Sequence, residues 1–309
     1  MKKTITVLTL FLTITLVNAQ TLYSKAYGDP NHDAIIYLHG GPGYNSMGFE
    51  ITTAQKLSES GFYVIVYDRR GEGRSPDKQA AFTFQQTLAD LDDIYKKFNL
   101  NTATLLGHSF GGIIGTLFSE NHTKKVKALV MVAAPLSMQE TFLTIIKTSK
   151  SIYEIKKDST NLMYIGMLEK MDKTSIAYSS YSFGHAMQNG FYTPKVPSKE
   201  ALVIYTNLKA DTSFARNGAS LSIEAPTGFW ENENYTSIDL SENLSNLIKN
   251  KTPLFGIYGT EDGLYSEEQV RQLKNLMPIT NFKYLDNCSH NVFIDQQDQF
   301  ITALKEWIK

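Results

Sequence analysis

Short apolar runs rich in β-branched and aromatic residues recur along the chain, at Ala34 to Leu38, Tyr63 to Tyr67, Ala103 to Leu106, Ala128 to Ala133, Leu254 to Tyr258 and Phe282 to Leu285. Such runs read as strands covered on both faces, since a solvated face would require polar residues at alternate positions. Segments between them carry helical spacing instead: Phe84, Leu88, Leu91, Ile94, Tyr95 and Phe98 recur at intervals suited to one face of a helix. Alternation of this kind predicts an α/β architecture, a mostly parallel central sheet flanked by helices. Thr21 to Tyr27 is expected to supply one or two edge strands.

The rhythm breaks between about Leu136 and Leu244, where Met, Tyr and Phe are frequent, helical spacing dominates and no buried strand is evident. Because this stretch leaves after one predicted strand and returns before another, it emerges at the carboxyl ends of the strands, where open α/β sheets place their ligands. The expected organisation is a core of residues 20–135 and 245–309, with 136–244 inserted as a helical cap, or lid. Most of the cap's aromatic residues are expected to pack its own small core.

The beginning of the chain stands apart. Lys2 and Lys3 precede an apolar stretch from Ile5 to Val17, and Val17-Asn18-Ala19 places small residues at cleavage-site spacing. Residues 1–19 therefore read as a secretory signal peptide, too short in its apolar part for the roughly 20 residues of a membrane span. The mature protein is expected in the periplasm or outside the cell, with no stable membrane span. The whole chain of 309 residues is 42% hydrophobic and 20% charged, ordinary usage for a globular protein. Its net charge of −1 argues against a nucleic-acid partner, which would call for a basic surface. Cys288 is the only cysteine, so an intramolecular disulfide or cysteine-based metal site is excluded.

Candidate chemistry begins at Gly107-His108-Ser109-Phe110-Gly111-Gly112, which follows a predicted strand and opens a helix. In that context the glycines permit a tight turn that lifts the Ser109 hydroxyl into the open, the nucleophile elbow of the α/β-hydrolase fold. A serine needs a base to take its proton, and that fold supplies an acid and then a histidine further along the chain. Asp262 follows the strand Leu254 to Tyr258, with Glu261 as the fallback acid, and His290 follows the last predicted strand. His39 belongs to a glycine turn, His108 to the elbow and His32 to the approach to a strand, while His122 and His185 have no acid in a matching place. Two backbone N–H groups should hold the oxyanion: that of Phe110, and one from His39-Gly40-Gly41-Pro42-Gly43, for which Gly41 is the choice.

Together with Asp68-Arg69-Arg70-Gly71-Glu72-Gly73-Arg74-Ser75, these motifs resemble those of prolyl iminopeptidases and related α/β-hydrolase-fold serine peptidases, over roughly residues 33–135 and 250–309. The resemblance likewise implies Gly41 and Phe110 as oxyanion donors; the Asp68 to Ser75 segment reads as a brace for neighbouring loops. It also implies cap glutamates that recognise a substrate ammonium. Glu224, Trp230, Glu231 and Glu233, near Phe229, are the candidate substrate-binding residues in the corresponding region, where solvated surface carboxylates are an equal expectation. The elbow departs from the Gly-Gly-Ser-Trp-Gly common in that family, and its His108 and Phe110 suit broad esterases equally.

The leading expectation is thus a serine hydrolase acting through Ser109, His290 and Asp262 with no metal or cofactor, releasing N-terminal residues from short peptides. A carboxylesterase or lactonase is the alternative, and an exported non-catalytic binding protein on the same fold is the alternative of another class. Epoxide hydrolase and haloalkane dehalogenase chemistry are disfavoured, because those enzymes place an aspartate where Ser109 stands.

Overall fold

The structure is a computed structural model that describes residues 22–218 and 221–309. The signal peptide expected at residues 1–19 lies outside the described residues. Among the described residues seven strands form one sheet: β1 (Ser24–Tyr27), β2 (Asp33–Leu38), β3 (Phe62–Tyr67), β4 (Ala103–His108), β5 (Val126–Val132), β6 (Leu254–Gly259) and β7 (Phe282–Leu285). Their spatial order is β1-β3-β2-β4-β5-β6-β7, and every pairing is parallel except that of β1 with β3. The mostly parallel sheet expected from the apolar runs is what forms. β3 and β4 are buried at every position, as strands covered on both faces must be.

Strand ends differ from the apolar runs in an informative way. β4 continues through Gly107 and His108, whose backbones pair with Met131 and Val132 of β5, while Gly107 also faces Leu38 of β2. The apolar pattern stops at Leu106 because glycine and histidine are not apolar, yet their peptide groups still complete the ladder. Among the described residues a single strand forms at the first edge, half-exposed and antiparallel, with Ser24 opposite Tyr67.

Helices cover both faces. Phe84–Lys97 is capped by Thr83, whose side chain accepts from the Gln86 N–H, and buries Leu91, Ile94 and Tyr95. Tyr95 stacks on Phe118 of the helix Phe110–Asn121 with ring centroids 5.5 Å apart. Between β5 and β6 the described chain is helical, with Met138–Lys156, Ser159–Leu168, Ile176–Gln188, Lys199–Ala210, Glu224–Glu233 and Ser241–Lys249 as its main elements. Phe142, Tyr153, Ile165 and Tyr178 are buried within this excursion. The helix Ser241–Lys249 spans the boundary expected at residue 244 and packs on the core. Its Asn243 and Asn246 side chains donate to Glu120 of the helix Phe110–Asn121. Among the described residues no helix is long and apolar enough to cross a membrane.

Candidate active site

Ser109 stands between β4 and the helix Phe110–Asn121 with φ 52° and ψ −125°, a backbone conformation costly for a residue bearing a Cβ. The surrounding packing holds it there. Its N–H donates to the Val132 carbonyl at 3.0 Å, and its carbonyl accepts from the Gly112 N–H at 2.8 Å. The glycines are dictated by close approach: a Cβ on Gly111 would sit 2.0 Å from the Leu38 carbonyl oxygen, and one on Gly107 2.7 Å from that of Gly111. Backbone from β2, β4 and the helix therefore converges under Ser109, which stays partly exposed while His108 and Phe110 are buried.

Asp262 and His290 follow the carboxyl ends of β6 and β7, adjacent strands on one flank of Ser109. His290 Nδ1 lies 2.9 Å from Asp262 Oδ2, and the other carboxylate oxygen accepts from the Leu264 N–H at 3.0 Å. Both side chains are buried, so this is a directed contact in a low-dielectric setting. The carboxylate can only accept, which assigns the Nδ1 proton to this bond and leaves Nε2 with a free lone pair. Glu261 is turned away, its carboxylate accepting from the Lys195 N–H at 2.7 Å.

Two residues link His290 to the elbow. His108 Nε2 lies 3.0 Å from the His290 carbonyl, and the two rings are 4.9 Å apart. Burial, with the nearby His290 second, lowers the His108 pKa to about 3, so His108 serves as a neutral strut. Tyr265 donates to the Ala133 carbonyl at 2.8 Å, has its ring 6.2 Å from that of His290, and sets its hydroxyl beside the Ser109 side chain. Among the described residues no hydrogen bond joins Ser109 Oγ to His290, a contact that in free hydrolytic sites often tightens only on substrate binding.

The glycine turn after β2 faces the same point. A Cβ on Gly40 would lie 3.2 Å from that of Ser109. Gly41 adopts φ 118°, and neither its N–H nor that of Phe110, at the start of its helix, has a partner among the described residues. Arg69 holds the turn in place. Its guanidinium donates to the His39 and Gly40 carbonyls and pairs with Glu72, Nε to Oε1 at 2.8 Å, while Glu72 Oε2 accepts from the Gly43 N–H at 2.7 Å. Both side chains of this pair are buried, at 3% and 0% exposure. Arg69→Ala would leave the Glu72 charge buried without its partner, so urea unfolding should show a loss of about 3–5 kcal/mol. A loss below about 1 kcal/mol, typical of exposed pairs, would show that the pair does not brace the turn.

The four residues expected to bind substrate are engaged elsewhere or face solvent. Glu224 is exposed and accepts from Ser222 Oγ, Glu231 is exposed, and Glu233 accepts from the Phe84 N–H at 2.7 Å. Trp230 donates its indole N–H to the Thr174 carbonyl at 2.8 Å. The residue of that helix that meets the elbow is Phe229, whose ring lies 5.2 Å from Phe110. Tyr192, which the sequence reading did not name, stands with its ring edge-on to His290 at 5.2 Å. Neither signals itself by motif, because each belongs to the excursion and meets the site only through packing.

A family model described as alpha/beta hydrolase fold matches residues 33–297. A proline iminopeptidase from Lacticaseibacillus rhamnosus is 25% identical over 291 residues, covering 93% of this chain and 94% of the relative. Among solved structures, a proline iminopeptidase-related protein from Thermus thermophilus superposes with a TM-score of 0.64 at 19% identity, covering 93% of this chain and 92% of the other. A structure from a study of carboxylesterases of Nitrososphaera gargenis superposes with a TM-score of 0.60 at 18% identity, covering 94% and 96%.

Proposed function

This chain belongs to the alpha/beta hydrolase fold family, and from that premise we propose that it is an exported serine hydrolase that cleaves a carbonyl bond through an acyl-enzyme. Ser109 Oγ attacks the carbonyl carbon while His290 Nε2 takes its proton. Asp262 orients the imidazole and stabilises its protonated form, and the N–H groups of Gly41 and Phe110 receive the oxyanion. Collapse expels the leaving group, which takes the proton from His290, and water then repeats the sequence on the acyl-serine. The observation that carries this reading is a serine held at φ 52° in a glycine turn beside a histidine bonded at 2.9 Å to a buried carboxylate. The helical excursion serves as the cap of the site.

Within that chemistry we favour release of the amino-terminal residue, proline among the candidates, from short peptides. The support is the extent and naming of the relatives, which match along nearly the whole chain. A second reading, hydrolysis of carboxylic esters or lactones, is favoured by the engagement of Glu233 at Phe84 and of Glu224 at Ser222, which leaves those carboxylates committed to partners outside an ammonium site. Proline arylamide, other aminoacyl arylamides and short-chain nitrophenyl esters separate the two. Turnover of the arylamides at rates comparable to the esters is expected; hydrolysis of esters alone would sink the peptidase reading. Export is tested by fractionating cells and sequencing the mature N-terminus, with cleavage expected after Ala19.

A further inference from the structure

Behind His290 lies a second buried carboxylate that the hydrolytic cycle does not use. Asp295 is 1% exposed, and among the described residues no lysine or arginine pairs with it. Its Oδ2 accepts from the N–H of Ser289, the residue before His290, at 2.8 Å. Its Oδ1 accepts from the hydroxyl of Tyr205, on the helix Lys199–Ala210 of the excursion, at 2.7 Å. The same part of the excursion is stitched to both loops of the site. The Phe191 carbonyl accepts from Ser289 Oγ at 2.9 Å and from the Gly263 N–H at 3.2 Å, and the Lys195 N–H donates to Glu261. An uncompensated buried charge is costly, and a neutral asparagine could hold the same two partners, its carbonyl accepting from the Ser289 N–H and its amide donating to the Tyr205 oxygen. The charge itself therefore calls for a use.

We propose that Tyr205 and Asp295 are positioning residues through which the seated excursion sets the place of His290, the Asp295 charge favouring the imidazolium formed during turnover. The inference rests on His290 acting as the base. It makes the segment from Phe191 to Tyr205 a fixed brace of the acid and base loops rather than a part of the cap that opens. The groups facing Asp295 are the Tyr205 hydroxyl, the Ser289 N–H, His290 and the like-charged Asp262, with Cys288 and Asn291 beside Tyr205.

Burial pushes the Asp295 carboxyl up to about 6, against the opposing pull of Ser289, Tyr205 and His290. The folded chain thus holds this proton more tightly than the unfolded chain. The resulting stability is present at acidic pH and is lost as the pH rises through about 6, leaving the charge a cost at pH 8. Asp295→Asn should accordingly melt no lower than the parent at pH 8, while its fluorophosphonate labelling slows roughly 3- to 10-fold and the acid limb of the pH–rate profile moves to lower pH. Tyr205→Phe should slow labelling by a similar factor and shift the downfield Nδ1 proton resonance of His290. Parental rates and pH profile in both variants would overturn the proposal, as would rates that fall only in step with melting temperature. The resonance reports the setting of His290 whether or not Ser109 reacts. An unreactive parent would therefore sink the hydrolase reading, and an unmoved resonance in Tyr205→Phe would sink this one.

Discussion

Ser109→Ala is expected to lower kcat by about 10⁶-fold on any accepted substrate and to abolish fluorophosphonate labelling, with what remains arising from binding and the oxyanion donors. Its size follows from covalent catalysis: without Oγ no acyl-enzyme forms, and the Tyr265 hydroxyl beside it is committed to the Ala133 carbonyl. Ser109→Gly should be equally inactive and also more stable. Serine is held at φ 52° and ψ −125°, where strain costs on the order of 1–3 kcal/mol and glycine is exempt, although glycine's greater freedom when unfolded offsets part of the gain. Loss of activity with no loss of stability is the signature expected of a residue kept for chemistry. Labelling of Ser109→Ala at the parental rate would mean that another residue reacts, and the hydrolase reading built on this elbow would fail.

Asp262→Asn should leave the fold intact and drop kcat by about 10⁴-fold. An amide can donate to Nδ1, and with the Leu264 N–H still directed at the other oxygen, that is the arrangement it would adopt. The imidazole proton then moves to Nε2, the nitrogen that must accept from Ser109, and the developing imidazolium loses its countercharge. Glu261→Gln is the matched control, because Glu261 bonds the Lys195 backbone and not His290, and glutamine keeps an oxygen that accepts from that N–H; a change of less than about threefold is expected there. Equal losses in the two variants would show that the acids share the role. The parent's activity should require an unprotonated base, and the acid limb of its pH–rate profile should vanish in His290→Ala.

These expectations draw unequally on sequence and structure. The strands were legible because both faces of a parallel sheet are covered, which forces continuous apolar runs such as Tyr63 to Tyr67. The elbow was legible for an equally local reason: at Gly107 and Gly111 a single added carbon would collide with backbone. The Asp68 to Ser75 segment could be read as a brace, but its targets could not. Arg69 reaches the carbonyls of His39 and Gly40, thirty and twenty-nine positions away in sequence, because β2 and β3 lie side by side.

What the sequence determined by itself was therefore what short-range sterics and burial impose: a mostly parallel sheet, a glycine turn that exposes Ser109, and an acid and a histidine following later strands. Which carboxylate meets which partner was decided only by tertiary structure. Asp262 and Glu261 are neighbours of similar chemistry, yet one faces His290 and the other the Lys195 backbone. Glu233 caps a helix begun at Phe84, and Asp295 joins Ser289 to Tyr205, pairings that span 149 and 90 positions. A carboxylate carries the same charge on a surface, at a helix end or beside a base. Its role is fixed by the donors that packing brings within about 3 Å, and those donors come from segments whose approach no local pattern encodes.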